Sequence, residues 1–211
     1  MLRCSRSRFL ALAIGAILSL ASVASATTMR TANVIDLIDL AESIVVGEVV
    51  SIEDGFDDNG LPYSDITVRV IEDFTSDRTG LRTIRQFGLQ APRQMANGHT
   101  ALSTTPPGFP RFVSDEKVIL FIYQASPTTG MQTTVGLIQG KFTIDQNGFV
   151  SNAVDNTNLF WNVAAQTDRM PASMQKIVNT SGAIKADDFQ AFVRSAVDQR
   201  WVEEGVLYNE Q

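Results

Sequence analysis

The segment Asp54–Gly60, DGFDDNG, gathers three carboxylates, Asp54, Asp57 and Asp58, around two glycines. Closely spaced carboxylates supply the hard oxygen donors that calcium takes. A helix–loop–helix calcium loop requires D-x-[DN]-x-[DN]-G with a glutamate at its twelfth position. Aligning Gly60 with that loop's glycine puts Gly55 first and Ile66 twelfth, so both essential ligands are missing. Asn59-Gly60 is instead a strong turn pair, since both residue types tolerate positive φ. The segment reads as the turn of a hairpin, and no metal site is expected.

Other reactive residue types are sparse. His99, in ANGHTAL, is the only histidine, whereas catalytic zinc centres generally need histidines. A Ser-His-Asp triad would have to use His99 with Ser103 or Ser114, and neither serine lies in a G-x-S-x-G elbow. Two carboxylates could work without histidine, as in glycoside hydrolysis. No segment places two of them in apolar surroundings, although Glu48 in VVGEVV comes closest. Phosphate loops of the G-x-x-x-x-G-K-[ST] and G-x-G-x-x-G kinds do not occur. No cofactor and no catalytic residue are expected.

The N-terminus reads as a targeting segment. Arg3, Arg6 and Arg8 precede the apolar run LALAIGAILSLASVA, and Ala24 and Ala26 supply small residues at −3 and −1. This is the layout of a secretory signal peptide over residues 1–26, and it implies a periplasmic or extracellular protein. Cleavage leaves residues 27–211 as one domain. It also removes Cys4, the only cysteine, so disulfides, thiol catalysis and thiolate metal sites are excluded from the mature chain. Losing three arginines takes the formal net charge from −6 to −9. An acidic chain without a basic patch is not expected to bind nucleic acid or, once processed, a membrane.

The rest of the chain alternates between patterns that fix elements. Residues 33–43 carry Val34, Leu37, Ile38 and Ala41 at helical spacing behind Asn33, a good N-cap. Residues 44–50 and 65–71 are rich in branched side chains and predict a strand pair. Gly47 implies a bulge or a close approach by another backbone. A third strand follows at 83–89. Residues 117–123, KVILFIY, are almost continuously apolar and predict a central strand buried on both faces. Residues 134–145 read as a strand broken by Gly136 and Gly140, and Asn147-Gly148 turns the chain into 149–154. Residues 158–163 show no pattern. A helical segment at about 171–200 contains a short helix begun by Pro171 and a longer one with Phe189, Phe192, Val193, Ala196 and Val197 on one face.

Between these elements, residues 90–112 hold four prolines and two glycines and form a long irregular connection. Such loops are often functional. Phe109 and Phe112 could supply apolar contact area there, with His99 in the same loop. The alternative is that the aromatics plug the end of a barrel.

The pieces AESIVVGEVVSIE, SDITVRVIEDF, GFPRFVSDEKVILFIY and VGLIQGKFTID resemble a loose group of exported bacterial proteins of unknown function. That resemblance implies a small closed or partly closed barrel of the OB kind, comparable in architecture to the netrin-like modules of metalloproteinase inhibitors. Those inhibitors use a disulfide-anchored N-terminal cysteine, which the mature chain lacks, and no functional residue carries over. The expected fold is mainly β with flanking helices: an antiparallel five- to six-stranded OB-like barrel or strongly curved sheet, a short N-terminal helix and a C-terminal helix. The expected function is that of an exported, non-catalytic binding module for a protein, peptide or glycan. Alternatives are a carboxylate-based glycan or peptide hydrolase and an inhibitor of a secreted protease.

Overall fold

A computed structural model describes residues 30–95, 97–101 and 105–210. The signal-peptide reading of residues 1–26, with its Ala24 and Ala26, and the candidate Ser103 lie outside the described residues.

The first helix, α1 (Val34–Asp39), begins where the sequence says it should. The Asn33 side-chain oxygen accepts from the Ile35 and Asp36 N–H groups, and the Asp36 carboxylate accepts from the Asn33 N–H, a reciprocal capping box. The helix is shorter than its apolar pattern, because the chain enters β1 (Ser43–Phe56) almost at once. Strands β2 (Pro62–Asp73) and β3 (Gly80–Phe87) follow as an antiparallel meander. A two-residue pair, β4 (Arg93–Gln94) and β5 (Thr100–Ala101), stands apart. Then come β6 (Lys117–Ile122), β7 (Lys141–Ile144), β8 (Phe149–Asn152), β9 (Val163–Ala165) and α2 (Ala172–Val178). The chain finishes with β10 (Ile184–Lys185), α3 (Ala186–Asp198) and β11 (Leu207–Asn209).

The fold is mainly β, as expected, but the main sheet holds seven antiparallel strands rather than five or six. Their order is β10-β8-β7-β6-β1-β2-β3. The sheet stays open rather than closing into a barrel, and its edges are β10 and β3. Half of it nevertheless curls. Beyond β6 the chain doubles back, with Thr134 bridged to Ile122. From there the Gln132 N–H donates to the Arg85 carbonyl of β3 at 2.8 Å. Among the described residues this bond joins β3 to the segment that follows β6, where a closed barrel would have a full ladder between β3 and β6.

Curling needs irregularity in β1, and Gly47 supplies it. The β1–β2 register slips at Val46/Gly47 and again at Val49/Ser51. A Cβ at Gly47 would lie 2.5 Å from the Arg69 carbonyl oxygen and 2.6 Å from Val68 Cγ1. Bulge and close approach, read as alternatives in the sequence, occur together.

Two apolar interiors share β1 and β6 as their common wall. Val45 and Val49 of β1 and Val118, Leu120 and Ile122 of β6 point into the curled half, where they meet Ile66, Val68, Val70, Ile84 and Phe112. Ile44, Val46, Ile119 and Phe121 point the other way, toward β7, β8 and the helices. There the Phe142 ring packs at a tilt against Phe189 at 5.0 Å and Phe121 at 5.7 Å, and Trp201 meets Phe192 edge-on at 5.8 Å. Strand β6 is thus the central strand of the sheet and buried on both faces, as its unbroken apolar run requires.

The two tight turns share one device. In Asp57–Leu61 and in Asp145–Phe149, the aspartate Oδ1 accepts from the N–H groups two and four residues later. The residue three positions on is a glycine with φ of 77°. Asn59 and Asn147 keep negative φ. The turns are therefore not the two-residue type that Asn-Gly suggests; they are longer loops in which the aspartate side chain satisfies the backbone. Gly140 is also required as glycine, because a Cβ there would collide with the Val135 carbonyl. The expected strand over 134–145 accordingly becomes a 3-10 turn, Leu137–Gln139, followed by β7.

Helix α3 ends in a Schellman arrangement, with the Trp201 N–H on the Ala196 carbonyl and the Arg200 N–H on the Val197 carbonyl. Arg200 takes the left-handed position, φ 50°, and the turn drops Trp201 into the core. Arg194 of the same helix grips Glu72 of β2 through two bonds of 2.8 and 2.7 Å. The Arg85–Asp65 pair is bidentate too, at 2.7 and 2.6 Å. In both cases the hydrogen bond to the carboxylate raises the guanidinium pKa further. A raised pKa stabilises the fold below the unfolded value and is lost only as pH climbs through the folded one. These pairs therefore give no pH dependence near neutrality from the arginine side.

Candidate functional site

The proline-rich connection is tied down at several points. The buried Gln86 of β3 turns its Nε2 inward to the Pro110 carbonyl at 3.0 Å. Gln90 Oε1 accepts from the Phe112 N–H, and the Gln90 carbonyl accepts from Arg111 Nη1. The Thr105 hydroxyl donates to the Leu89 carbonyl, and the Ile138 N–H donates to the Gly108 carbonyl. Prolines cannot donate backbone hydrogen bonds, and Pro110 is held through its carbonyl while Thr105, Arg111 and Phe112 act as donors.

Held this way, the loop roofs a cleft of about 530 Å³. One wall is Pro106, Pro107, Phe109 and Arg111. The other is the outward face of the β7–β8 hairpin, where Thr143 pairs with Ser151 and Lys141 lies two residues before Thr143. Alternation decides this face: Phe142 and Val150 go to the aromatic interior, and Lys141, Thr143 and Ser151 go to the cleft. Among the described residues the lining contains two cations, Arg111 and Lys141, and no carboxylate.

Lys141 is anchored. Its side chain is 11% exposed, and its Nζ lies 2.8 Å from Glu116 Oε2, whose side chain is 12% exposed. The same Nζ reaches the Thr143 hydroxyl at 3.5 Å and sits 5.1 Å from the centre of the Phe112 ring. Removing either member of such a pair strands a charge in low dielectric. Glu116 also accepts from the Val113 N–H, which leaves it committed.

The three candidate contact residues go to three different places. Phe109 lines the cleft. Phe112 is 6% exposed and plugs the end of the aliphatic interior, so it offers no contact surface. His99 is exposed beside the tip of the β4–β5 pair, its N–H bonded to Asn97 Oδ1, and it does not line the cleft. Lys141, Thr143 and Ser151 were not singled out from the sequence. The Asn147-Gly148 turn with period-two alternation held the signal that puts them on one face. What brings that face under the loop is the Ile138–Gly108 hydrogen bond, a contact without any local trace in the sequence.

Around the acidic turn, Asp54 accepts from the Ser64 hydroxyl at 2.5 Å and from the Gln90 and Ala91 N–H groups at 3.0 Å. Its carboxylate thus fastens the exit of β3 instead of facing solvent with Asp57 and Asp58. Among the described residues no three His, Cys, Asp or Glu side chains converge as a metal site. No described helix is long and apolar enough to cross a membrane. The chain matches no family model, no curated protein and no solved structure, so what its cleft can do rests on the cleft's own chemistry.

Proposed function

We propose that the chain is an exported, non-catalytic binding module that takes an acidic peptide segment into the cleft beneath residues 105–111. One observation carries this reading: in a chain of net charge −6, the described lining pairs an apolar wall with two cations and no acid. A carboxylate entering the cleft meets the positive charge of the Arg111 guanidinium, which also donates to the Gln90 carbonyl through Nη1. A neighbouring apolar side chain meets Phe109 and the prolines. Because Lys141 is already paired with Glu116, it contributes position and one remaining N–H more than free charge. The export half of the proposal rests on the reading of residues 1–26. The carboxylate-hydrolase alternative draws no support from this cleft, whose described lining offers no acid to act as proton donor or nucleophile.

The test is selection of a random-peptide phage library on the chain lacking residues 1–26, in parallel with Arg111→Ala and Phe109→Ala. Enrichment of Asp- or Glu-containing peptides that bind Arg111→Ala about tenfold more weakly, or worse, is the expected result. Peptides selected without acidic preference, or bound equally by both variants, would reject the proposal.

A further inference from the structure

A second cleft, of about 470 Å³, lies at the rim of the aromatic interior, between the 155–161 turns and the segment that leaves α2. Trp161 stands at this cleft 62% exposed, whereas the other tryptophan, Trp201, is 1% exposed. The exposed indole is not on a loose loop. The Trp161 N–H donates to the Asn158 carbonyl at 3.0 Å. Its own carbonyl accepts from Nδ2 of Asn33, the cap of α1, at 3.1 Å. The preceding Phe160 packs edge-on against Phe192, with ring centres 5.7 Å apart. Backbone and neighbour are fixed while the indole faces solvent.

The facing wall is polar and uncharged. Asn179 spends its Nδ2 on the Gln175 carbonyl, which leaves its Oδ1 free to accept, and Thr180 donates to the Lys176 carbonyl. The side chains of Thr157, Asn158 and Ser181 have no hydrogen-bond partner among the described residues. Asn156 fastens the two walls at a set spacing by donating to the Val150 carbonyl at 2.9 Å and the Gly182 carbonyl at 2.8 Å. Asn158 holds φ of 67°, a conformation that glycine would adopt at less cost; the asparagine keeps an amide at the cleft. Asp155 is the one ionisable group in the lining, and no cation is present.

We infer that this cleft binds a neutral oligosaccharide. An exposed indole on an anchored backbone offers a flat face to the C–H face of a pyranose ring. Amides, hydroxyls and one carboxylate give the mixture of donors and acceptors that vicinal sugar hydroxyls require. An anionic ligand would meet Asp155 without a compensating cation, and an apolar one would strand the unpaired polar groups. The fixed walls reduce the ordering cost of association. This site shares no residue with the cleft beneath residues 105–111, so the two proposals stand or fall separately.

The experiment is titration of the chain lacking residues 1–26 with hexamers of N-acetylglucosamine, β-linked glucose, α-linked glucose and β-linked xylose, followed by tryptophan fluorescence and calorimetry. At least one hexamer is expected to give a saturable fluorescence change. Trp161→Ala should weaken that binding roughly tenfold or more with the melting temperature unchanged. Asn158→Gly, which keeps the backbone conformation and removes the amide, should weaken it several-fold, and it decides the matter if Trp161→Ala folds poorly. Phe109→Ala should bind the sugar as the unaltered chain does. Absence of saturable binding to all four hexamers, or full affinity in Asn158→Gly and Trp161→Ala, would overturn the inference.

Discussion

β1 and β6 separate two interiors made of different materials. The curled half is aliphatic, built from valines, isoleucines and Leu120, with Phe112 as its one buried aromatic among the described residues. The helix-covered half contains Phe121, Phe142, Phe189, Phe192 and Trp201. Geometry explains the difference. A tightly curled sheet brings its own strands close across the interior, and short branched side chains fill that space in well-defined rotamers. On the other face a helix layer covers the sheet, and there the longer rings of Phe142, Phe189 and Trp201 fill the space between the two layers. A single strand serves both sides by alternation, which is why β6 reads as unbroken apolar sequence. Each candidate cleft borders one of these interiors. Lys141 lies over Phe112 at the end of the aliphatic one, and Trp161 follows Phe160 at the rim of the aromatic one.

The comparison can be broken first in the aromatic half. Phe142→Ala removes a ring that touches both Phe121 and Phe189, and it should cost about 3–5 kcal/mol in urea unfolding. A loss below about 1 kcal/mol would mean that the helix layer is not packed on the sheet as described. Ile84→Val in the aliphatic half should cost about 0.5–1.5 kcal/mol. Because Ile84 and Phe142 belong to separate clusters, the double variant should equal the sum of the two within about 0.5 kcal/mol. A coupling above roughly 1 kcal/mol would show that the shared wall transmits packing between the interiors. The smallest effect is of opposite sign. Arg200→Gly relieves a left-handed residue at the end of α3, at the expense of only a long ion pair to Glu203. It should raise stability by about 0.5–1 kcal/mol, read as a higher melting temperature.

Much of the fold was legible locally. Asn33 capped its helix, Gly47 marked a bulge, residues 117–122 formed the central strand, and the Phe189 face of α3 went to the core. Each of these depends on a residue's own conformational preference or on a period of two or 3.6. Other features were not legible. Residues 158–163 were unassigned because they mix apolar and asparagine residues without a period; they form turns as far as Val163, where β9 begins. Its partner β11 lies more than forty residues away and is held by a ladder of three residue pairs. The Asn-Gly turns were placed correctly but typed wrongly, because the aspartate two residues earlier controls them. At the candidate site, the sequence singled out Phe109 and Phe112 together, and burial separated them.

By itself, then, the sequence determined the capped first helix, the strands around 44–50, 65–71 and 117–122 and the apolar face of α3, because backbone preference and side-chain period act within a few residues. It also determined the scarcity of histidine and cysteine that limits the available chemistry. Only the tertiary structure decided that the sheet curls without closing, that Lys141 and Ser151 share a cleft with Phe109, and that one tryptophan is buried while the other faces solvent. Those outcomes depend on contacts between residues far apart in the chain, such as Gln132 with Arg85, Ile138 with Gly108 and Asn33 with Trp161. Such contacts form only once the layers have packed, and no local preference encodes them.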